Sequence, residues 1–427
     1  MIFNREHIEE ICFQKLREDW LSCPDTFPDF LTPVTLQEQR KNEEFLQKKL
    51  TTFHKLIDSY QKPLTIQYFW KRKWNRLITQ LLIEEPILGI ANALPLETIA
   101  DMRREFTRFM KAASEFDSAM TMEEIGQAAR NYLVYDVFCE IHGQIHHMTP
   151  AILGYSMLYP YTDNYIDAPD CSPEKKKQYN DMISNHLQEK ETLISDEYEK
   201  KTCELLDYVT NSYEQEHRRD IQTGLLLMLD AQKESMQQIR HGNNDRPVNG
   251  QVLTPVVDTS SLTAEEIFNI SSYKGGISVL IDRFYVPKEI TDEDFAFYLG
   301  YGFFLQLADD LQDITEDKST GRQTLFTEAG SIFHSSVEQT LNRLFHYLNR
   351  LLSSYELSNE SLKNFIKYSC FLLLIYSAFL SQENFDADYL KQFEPFLPLS
   401  FAFMESHKKE LSSLKGSSAQ MLQNFPL

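Results

Sequence analysis

Apolar residues recur through most of the chain at the spacing of a helical face, with charged residues between them. Residues three and four apart lie on the same side of an α-helix, so this pattern predicts amphipathic helices. Long runs of Leu, Glu, Lys, Gln and Ala, which are strong helix formers, indicate the same structure. We therefore predict an all-α protein. The most apolar run, CFLLLIYSAFL at 370–380, predicts a buried core helix, because its 11 residues are fewer than the roughly 20 that span a bilayer.

Two stretches interrupt the helical pattern. The first is the proline-rich CPDTFPDFLTP at 23–33. The second is GNNDRPVNGQVLTPVVDTSS at 242–261, where an Asn-Gly turn between short valine-bearing runs predicts a hairpin or a lid-like loop. We expect residues 1–90 to form an N-terminal helical segment packed on a main helical domain, 91–427, that contains the loop 242–261.

Composition excludes several classes of function. Hydrophobic residues make up 42% of the chain, enough for a sizeable core, and only 14 glycines argue against glycine-rich loops. The formal net charge of -21 argues against nucleic acid and anionic membranes as main partners. The six cysteines are scattered and form no CxxC pair, so they indicate neither a zinc site nor a disulfide framework. The N-terminus reads as an amphipathic helix and not as a signal peptide, so we expect a cytoplasmic protein without a transmembrane segment.

The sequence DNYID at 163–167 contains a first pair of acidic residues. Asp163 and Asp167 are four residues apart and so lie on one face of a helix. Pro169 is expected to stop that helix near Ala168. Taken alone, such a pair is more often a solvated helix face than a functional site. The aromatic and apolar helix that precedes it favours a site.

A second acidic cluster lies in LADDLQDITEDKSTGRQTLF at 307–326. Asp309, Asp310 and Asp313 share one helical stripe with Gln306, one turn earlier. A solvated surface face is again the alternative. The helix upstream, between 295 and 304, is rich in Phe and Tyr. Acids at the end of so apolar a helix favour the rim of a pocket.

Both acidic clusters lie near the predicted C-terminal ends of their helices. The helix dipole disfavours carboxylates there by a few tenths to about 1 kcal/mol each. Two helices with the same unfavourable arrangement predict a cation between them. Short acidic side chains suit Mg²⁺, with Mn²⁺ as the alternative, and Mg²⁺ is usually completed by a substrate phosphate. The sequence therefore predicts a metal-bridged phosphate or diphosphate.

Three cationic side chains are candidates for binding that anion. Lys274 stands in SSYKGGISVL, where the two following glycines are expected to interrupt a helix and let the lysine reach an anion. An exposed lysine at a helix–helix turn is the alternative. Lys318 and Arg322 follow the second acidic cluster, in a loop at 316–327 that could order when diphosphate binds.

These stretches resemble one known family. QLADDLQDITEDKSTGRQTLF resembles the second aspartate-rich region of class I isoprenoid synthases, QxxDDxxD followed by a basic, glycine-containing loop. SSYKGGISVL resembles the lysine segment that precedes it in the trans-prenyltransferase branch. DNYID resembles the first aspartate-rich motif in the DxxxD form of the squalene and phytoene synthase branch. The resemblance covers about 150–330.

The resemblance implies a helical bundle around a central active-site cavity, with extra N-terminal helices here. It also implies that Mg²⁺ binds the diphosphate of an allylic prenyl substrate, whose ionisation leaves a carbocation, and it suggests a homodimer. The residues that it assigns to metal binding and catalysis are Asp163, Asp167, Asp309, Asp310 and Asp313. Those that it assigns to the substrate diphosphate are Lys274, Gln306, Lys318 and Arg322.

The chain also departs from the branches of that family. No arginine pair follows the first motif, and no GKR-like segment stands near the N-terminus, which weakens chain elongation. The second motif is not the Asn/Ser/Glu triad of standard terpene cyclases. We therefore predict a noncanonical class I terpene synthase that uses one prenyl diphosphate. The alternatives are a prenyltransferase, by chain elongation or head-to-head coupling, and a non-catalytic helical interaction protein.

Overall fold

The computed structural model describes residues 4–59, 64–168, 171–239, 261–357 and 359–407. Those ranges contain 17 α-helices and no β-strand, so the prediction of an all-α protein is confirmed. The isoprenoid-synthase bundle stays a prediction. The helices in chain order are α1 (Arg5–Glu10), α2 (Leu16–Leu21), α3 (Leu36–Asp58), α4 (Leu64–Glu84), α5 (Ile90–Ala93), α6 (Leu96–Phe116), α7 (Met122–Ile141), α8 (Pro150–Asp167), α9 (Pro173–Leu187), α10 (Glu197–Thr210), α11 (Gln215–Ser235), α12 (Ala264–Phe284), α13 (Asp292–Gln312), α14 (Ile314–Thr320), α15 (Val337–Ser354), α16 (Glu360–Leu380) and α17 (Ala387–Lys391).

The chain divides into two compact units. The first unit comprises Met1–Pro28, Pro150–Glu356 and Leu373–Ala387, and the second comprises Asp29–Thr149, Leu357–Leu372 and Asp388–Leu427. Both acidic motifs belong to the first unit. The division after residue 90, which rests on sequence pattern, stays a prediction. Of the predicted loop 242–261, only Ser261 lies within the described residues.

The apolar run at 370–380 forms the second half of α16, and most of its side chains are buried, as predicted for a core helix. Across the described ranges, no helix combines the length and the apolar character that crossing a lipid bilayer requires.

Helix α12 lies at the centre of the first unit. Its side chains are buried around most of its circumference, including Ile267, Tyr273 and Leu280 at 0% exposure. A helix that is apolar all round must be covered on all sides. α12 accordingly packs against α11, α13 and the π-helical stretch Ile11–Lys15 that joins α1 to α2.

The contact between α12 and α13 is a backbone contact made by glycines. A Cβ atom added at Gly302 would lie 2.1 Å from the carbonyl oxygen of Gly275, and one added at Gly275 would lie 2.4 Å from that of Gly302. Side chains larger than hydrogen are therefore excluded at both positions. The prediction that Gly275 and Gly276 interrupt a helix was wrong, because α12 runs unbroken from Ala264 to Phe284. Close packing of the two helices compensates for the low helix propensity of glycine, a cost of about 1 kcal/mol per residue.

The last turn of α8, which carries the first acidic motif, is held on its opposite face by tyrosines. Tyr165 stacks on Tyr179 of α9 with ring centroids 4.0 Å apart, and Tyr161 stacks on Tyr198 of α10 at 4.7 Å. The hydroxyls of Tyr179 and Tyr198 both donate to the carbonyl oxygen of Tyr161, at 3.2 and 2.7 Å. These contacts fix the turn that presents Asp163.

The loop between α12 and α13 closes around a buried ion pair. Arg283 is fully buried, and its Nη2 lies 3.0 Å from Oδ2 of Asp294. The same guanidinium donates to the carbonyl oxygens of Val286, Lys288 and Glu289, at 3.4, 3.0 and 2.9 Å. Burial raises the pKa of Asp294, but hydrogen bonds from Tyr355, Thr291 and Arg283 outweigh it and hold the pKa below its usual value. The loop is thus organised around one arginine.

The second unit contains a buried histidine between two carboxylates. His146 Nδ1 lies 3.2 Å from Oδ1 of Asp136, and its Nε2 lies 3.1 Å from Oε2 of Glu140. Burial lowers the pKa of His146, but the two acids outweigh it and raise that pKa to about 9. The histidine is therefore an imidazolium bridge between the end of α7 and the segment that follows it, and both ring nitrogens are occupied.

Candidate functional site

The second acidic motif lies where α13 ends and α14 begins. α13 ends at Gln312, and Asp313 is at once its C-cap and the N-cap of α14. Asp309 is exposed, Asp313 is half-buried and Asp310 is buried. The predicted position of the acids at the C-terminal end of a helix is therefore confirmed for this motif.

Asp310 is the most unusual of these carboxylates. It is 6% exposed, and its Oδ1 accepts a hydrogen bond from Gln306 Nε2 at 2.8 Å. Its Oδ2 is buried, and no described residue donates a hydrogen bond to it. Burial is the main cause that raises its pKa to about 7, with contributions from Asp309 and Asp317. A buried acid with an unpartnered oxygen is costly unless a ligand completes it.

Lys274 belongs to the same cluster. Its positive charge lowers the pKa of Asp310, so it acts on the second motif from the neighbouring helix α12. The glycine contact explains this proximity, because a Cβ at Gly275 would lie only 2.7 Å from Cβ of Gln306. Lys274 therefore acts on the acidic motif across a helix crossing and not from a helix break, and its role at the diphosphate stays a prediction.

Asp317 is a member of the cluster to which sequence reasoning gave no role. It lies one turn after Asp313 on α14, is 7% exposed, and pairs with Arg322, whose Nε is 3.3 Å from its Oδ1. Burial and the charges of Asp313 and Asp309 raise its pKa to about 6, against the effect of Arg322. The sequence signal that could have identified Asp317 is its four-residue spacing from Asp313, which places the two acids on one helical face. Arg322 also lowers the pKa of Asp313, so its guanidinium lies at the edge of the cluster.

The structure does not bring Lys318 to the acids. Its Nζ donates to Oδ1 of Asn384 at 2.7 Å, and Asn384 also donates to the hydroxyl of Thr315 at 2.9 Å. Lys318 therefore ties the exposed face of α14 to the segment after α16. Its predicted role at the diphosphate is not supported by these contacts.

Arg322 begins a short segment whose backbone pairs with residues 238–239. It forms an isolated antiparallel bridge with Ile239, and the next amide, that of Gln323, donates to the carbonyl oxygen of Gln238 at 2.8 Å. The buried side chain of Gln323 donates to Ser261 Oγ at 3.2 Å and accepts from the amide of Leu262 at 3.3 Å. Residues on both sides of 240–260 thus meet at Gln323.

The first acidic motif lies on α8. Asp163 is half-buried, and its Oδ1 accepts a hydrogen bond from Gln232 Nε2 of α11 at 3.2 Å. Asp167 is the last residue of α8, as expected from Pro169, and its side chain lies outside the described part of the structure. The hydroxyl of Tyr155 donates to the carbonyl oxygen of Ser278 at 3.1 Å, so α8 packs against the helix that carries Lys274.

The donor set around Asp310 fits a hard divalent cation. The charge of Asp309 raises the pKa values of Asp310, Asp313 and Asp317, so the acids lie close together. One buried carboxylate oxygen, Oδ2 of Asp310, has no partner among the described residues. No group of three or more described His, Cys, Asp or Glu side chains already has metal-binding geometry. Mg²⁺ does not need such a group, because it binds through one or two carboxylates and keeps several waters.

Replacing Asp310 with asparagine should stabilise the metal-free protein at pH 8 by up to about 4 kcal/mol, since each unit by which the pKa is raised is worth about 1.4 kcal/mol. The pKa of Asp310 is raised to about 7 in the folded chain, so folding takes up a proton between about pH 4 and 7. Its contribution to stability is therefore full at low pH and is lost as the pH rises through 7. Urea unfolding with EDTA at pH 5 and 8 measures the difference, which should be clearly smaller at pH 5 than at pH 8.

The exposed Asp292, at the other end of α13, gives the matched control. Asp292→Asn should not raise the free energy of unfolding at pH 8. A loss of stability in Asp310→Asn at pH 8 would mean that the carboxylate is already paired in the metal-free protein, contrary to the arrangement described.

Comparisons with models of protein families, with curated proteins and with solved structures found no match to this chain.

Proposed function

We propose that the protein is a Mg²⁺-dependent class I terpene synthase. It would ionise one allylic prenyl diphosphate to a carbocation that is cyclised or quenched, with release of diphosphate. One observation supports the proposal: Asp310 is buried with one unpartnered carboxylate oxygen, and Lys274, on the helix that crosses α13 at the glycines, acts on it electrostatically. A cation and a set of acids at one helix end suit a substrate that is itself a polyanion bound through metal.

The proposed roles follow from the positions of the side chains. Asp309, Asp310 and Asp313 would hold Mg²⁺ from the second motif, with Asp163 and Asp167 contributing from α8. The bound metal would neutralise negative charge on the diphosphate. Gln306 orients Asp310 through its hydrogen bond to Oδ1. Lys274 and Arg322 would interact with diphosphate oxygens, where negative charge grows as the carbon–oxygen bond breaks.

A prenyltransferase that joins two isoprenoid units would use the same ionisation and is the alternative. The absence of a paired arginine after the first motif favours a single substrate. The cytoplasmic location and the homodimer expected from the sequence belong to this proposal.

The test is diphosphate release from the full-length protein supplied with geranyl, farnesyl or geranylgeranyl diphosphate. Each substrate is assayed with and without Mg²⁺, and with and without isopentenyl diphosphate, and the organic products are extracted. We expect Mg²⁺-dependent release from an allylic substrate alone, with a hydrocarbon or an alcohol as product. Release that requires isopentenyl diphosphate and gives a longer chain would support the prenyltransferase. No release from any substrate would favour the non-catalytic alternative.

Asp309→Asn should lower turnover by at least about 100-fold without unfolding the protein. The exposed carboxylate is a proposed metal ligand, and losing charge stabilisation of a transition state typically costs 10²–10³ in rate. Removing its charge also relieves repulsion with Asp310 and Asp313. Steady-state release of diphosphate and circular dichroism give the two readouts.

Glu293→Gln removes one exposed charge from the first turn of the same helix and should leave turnover unchanged. Strong destabilisation of the metal-free protein by Asp309→Asn would contradict the assignment of Asp309 to a metal site.

A further inference from the structure

Asp317 and Arg322 form an ion pair whose shortest contact lies at the Nε edge of the guanidinium. The contact joins Oδ1 of Asp317 to Nε of Arg322 at 3.3 Å. Asp317 is buried, whereas the Arg322 side chain is 31% exposed. The carboxylate thus lies nearest to the Nε edge of the guanidinium, and neither Nη atom donates a hydrogen bond to the described residues.

The backbone of Arg322 is held on three sides. Its amide donates to the carbonyl oxygen of Asp317 at 2.8 Å, after the helix α14 is ended by Gly321 at a φ of +75°. Its carbonyl oxygen accepts from the hydroxyl of Thr327 at 2.9 Å. The bridge with Ile239 fixes the third side. The residue therefore has little freedom other than the orientation of its side chain.

The Arg322 guanidinium lies near two carboxylates, those of Asp317 and Asp313, and could pair with either. Without Asp317, the guanidinium could turn toward the half-buried Asp313, whose pKa it already lowers. The ion pair with the buried Asp317, whose shortest contact is to Nε, favours the observed orientation over that rotation. It leaves free the terminal N–H groups that bind phosphate oxygens in the bidentate arrangement for which arginine is preferred to lysine.

We propose that Asp317 is a positioning residue, which orients Arg322 so that its Nη groups bind the diphosphate of the substrate. This inference rests on the proposed function, since it concerns the same site. In this inference Asp317 affects diphosphate binding only by orienting Arg322, and it is not a further ligand of the metal.

A double-mutant cycle on the full-length protein separates these two roles. The probe is inorganic diphosphate with Mg²⁺, and its dissociation constant is measured by titration calorimetry. Arg322→Gln should weaken binding by about 30-fold and Asp317→Asn by about 10-fold, in the range that loss of an orienting partner usually costs. Because Asp317 acts through Arg322, the double variant should bind about as weakly as Arg322→Gln alone.

Two further variants control for charge and for geometry. Glu316→Gln removes a charge from the neighbouring exposed residue and should change binding less than about 2-fold. Asp317→Glu keeps a carboxylate within reach of Nε and should recover part of the binding. The Mg²⁺ concentration that gives half-maximal diphosphate binding should be the same in Asp317→Asn as in the unaltered protein. Circular dichroism checks that each variant is folded.

The outcomes distinguish the inference from the proposed function. If the unaltered protein binds diphosphate but the two effects multiply in the double variant, Asp317 acts independently of Arg322 and the inference is overturned. A raised Mg²⁺ requirement in Asp317→Asn, or no effect of Arg322→Gln, would overturn it as well. If the unaltered protein neither binds diphosphate nor releases it from allylic substrates, the proposed function fails and the inference fails with it.

Discussion

Replacing Arg283 with methionine is expected to lower the free energy of unfolding by about 3–5 kcal/mol, the usual cost of removing one partner of a buried ion pair. Methionine fills a similar volume but leaves Asp294 charged and buried. It also leaves the carbonyl oxygens of Lys288 and Glu289 without the donors at 3.0 and 2.9 Å. Urea unfolding followed by circular dichroism measures the loss.

Two variants test that explanation. Arg219→Met changes an exposed arginine on α11 and should alter stability by less than about 0.5 kcal/mol. Adding Asp294→Asn to Arg283→Met removes the uncompensated charge and should restore part of the stability. If Arg283→Met is as stable as the unaltered protein, the loop between α12 and α13 does not depend on this arginine.

Gly302→Ala should destabilise the protein by about 3 kcal/mol, near the upper end of the range for forcing extra atoms into a packed interior. The new methyl group would meet the Gly275 carbonyl oxygen at 2.1 Å and Gly276 Cα at 2.8 Å. Both are backbone atoms, so no side chain can turn away, and the two helices must separate. Separation moves Lys274 away from Asp310, so diphosphate release should fall together with stability.

The matched control is Gly126→Ala in α7, where an added Cβ meets no atom within 4 Å. The free energy of unfolding of that variant should rise by about 0.5–1 kcal/mol, because alanine is a better helix former than glycine. Unfolding midpoints of the two variants in urea give the comparison. Equal stability of Gly302→Ala and the unaltered protein would mean that the helices do not cross as closely as described.

The features that depend on local sequence were predictable. The alternation of apolar and charged residues gave an all-α chain, and the acids of the second motif lie at the end of α13 as expected. Pro169 correctly marked the end of α8 near Asp167. Each of these follows from helical periodicity or from the backbone limits of proline, which act over a few residues.

The features that depend on distant residues were not predictable from the pattern. Two consecutive glycines at 275 and 276 locally predict a helix break. They are accommodated in a continuous helix because the backbone of Gly302, on another helix, packs directly against them. Lys318 was predicted to bind diphosphate because it follows the acids. Its ammonium group instead donates a hydrogen bond to Asn384, which lies 66 residues further along the chain. The two carboxylates that hold His146 lie four residues apart on the preceding helix, but the pattern does not show that the chain after that helix folds back to place His146 between them.

The meeting of three chain segments at Gln323 has a consequence for the connection between two of them. Its backbone pairs with Gln238, and its side chain pairs with Ser261 and Leu262. The connection from 239 to 261 therefore starts and finishes at one fixed point, next to Arg322. Once both ends of a connection are fixed, doubling the number of residues between them costs only about 0.6 kcal/mol in closure entropy. Evolution could insert, delete or exchange residues in this connection while the arginine and the acids beside it keep their places.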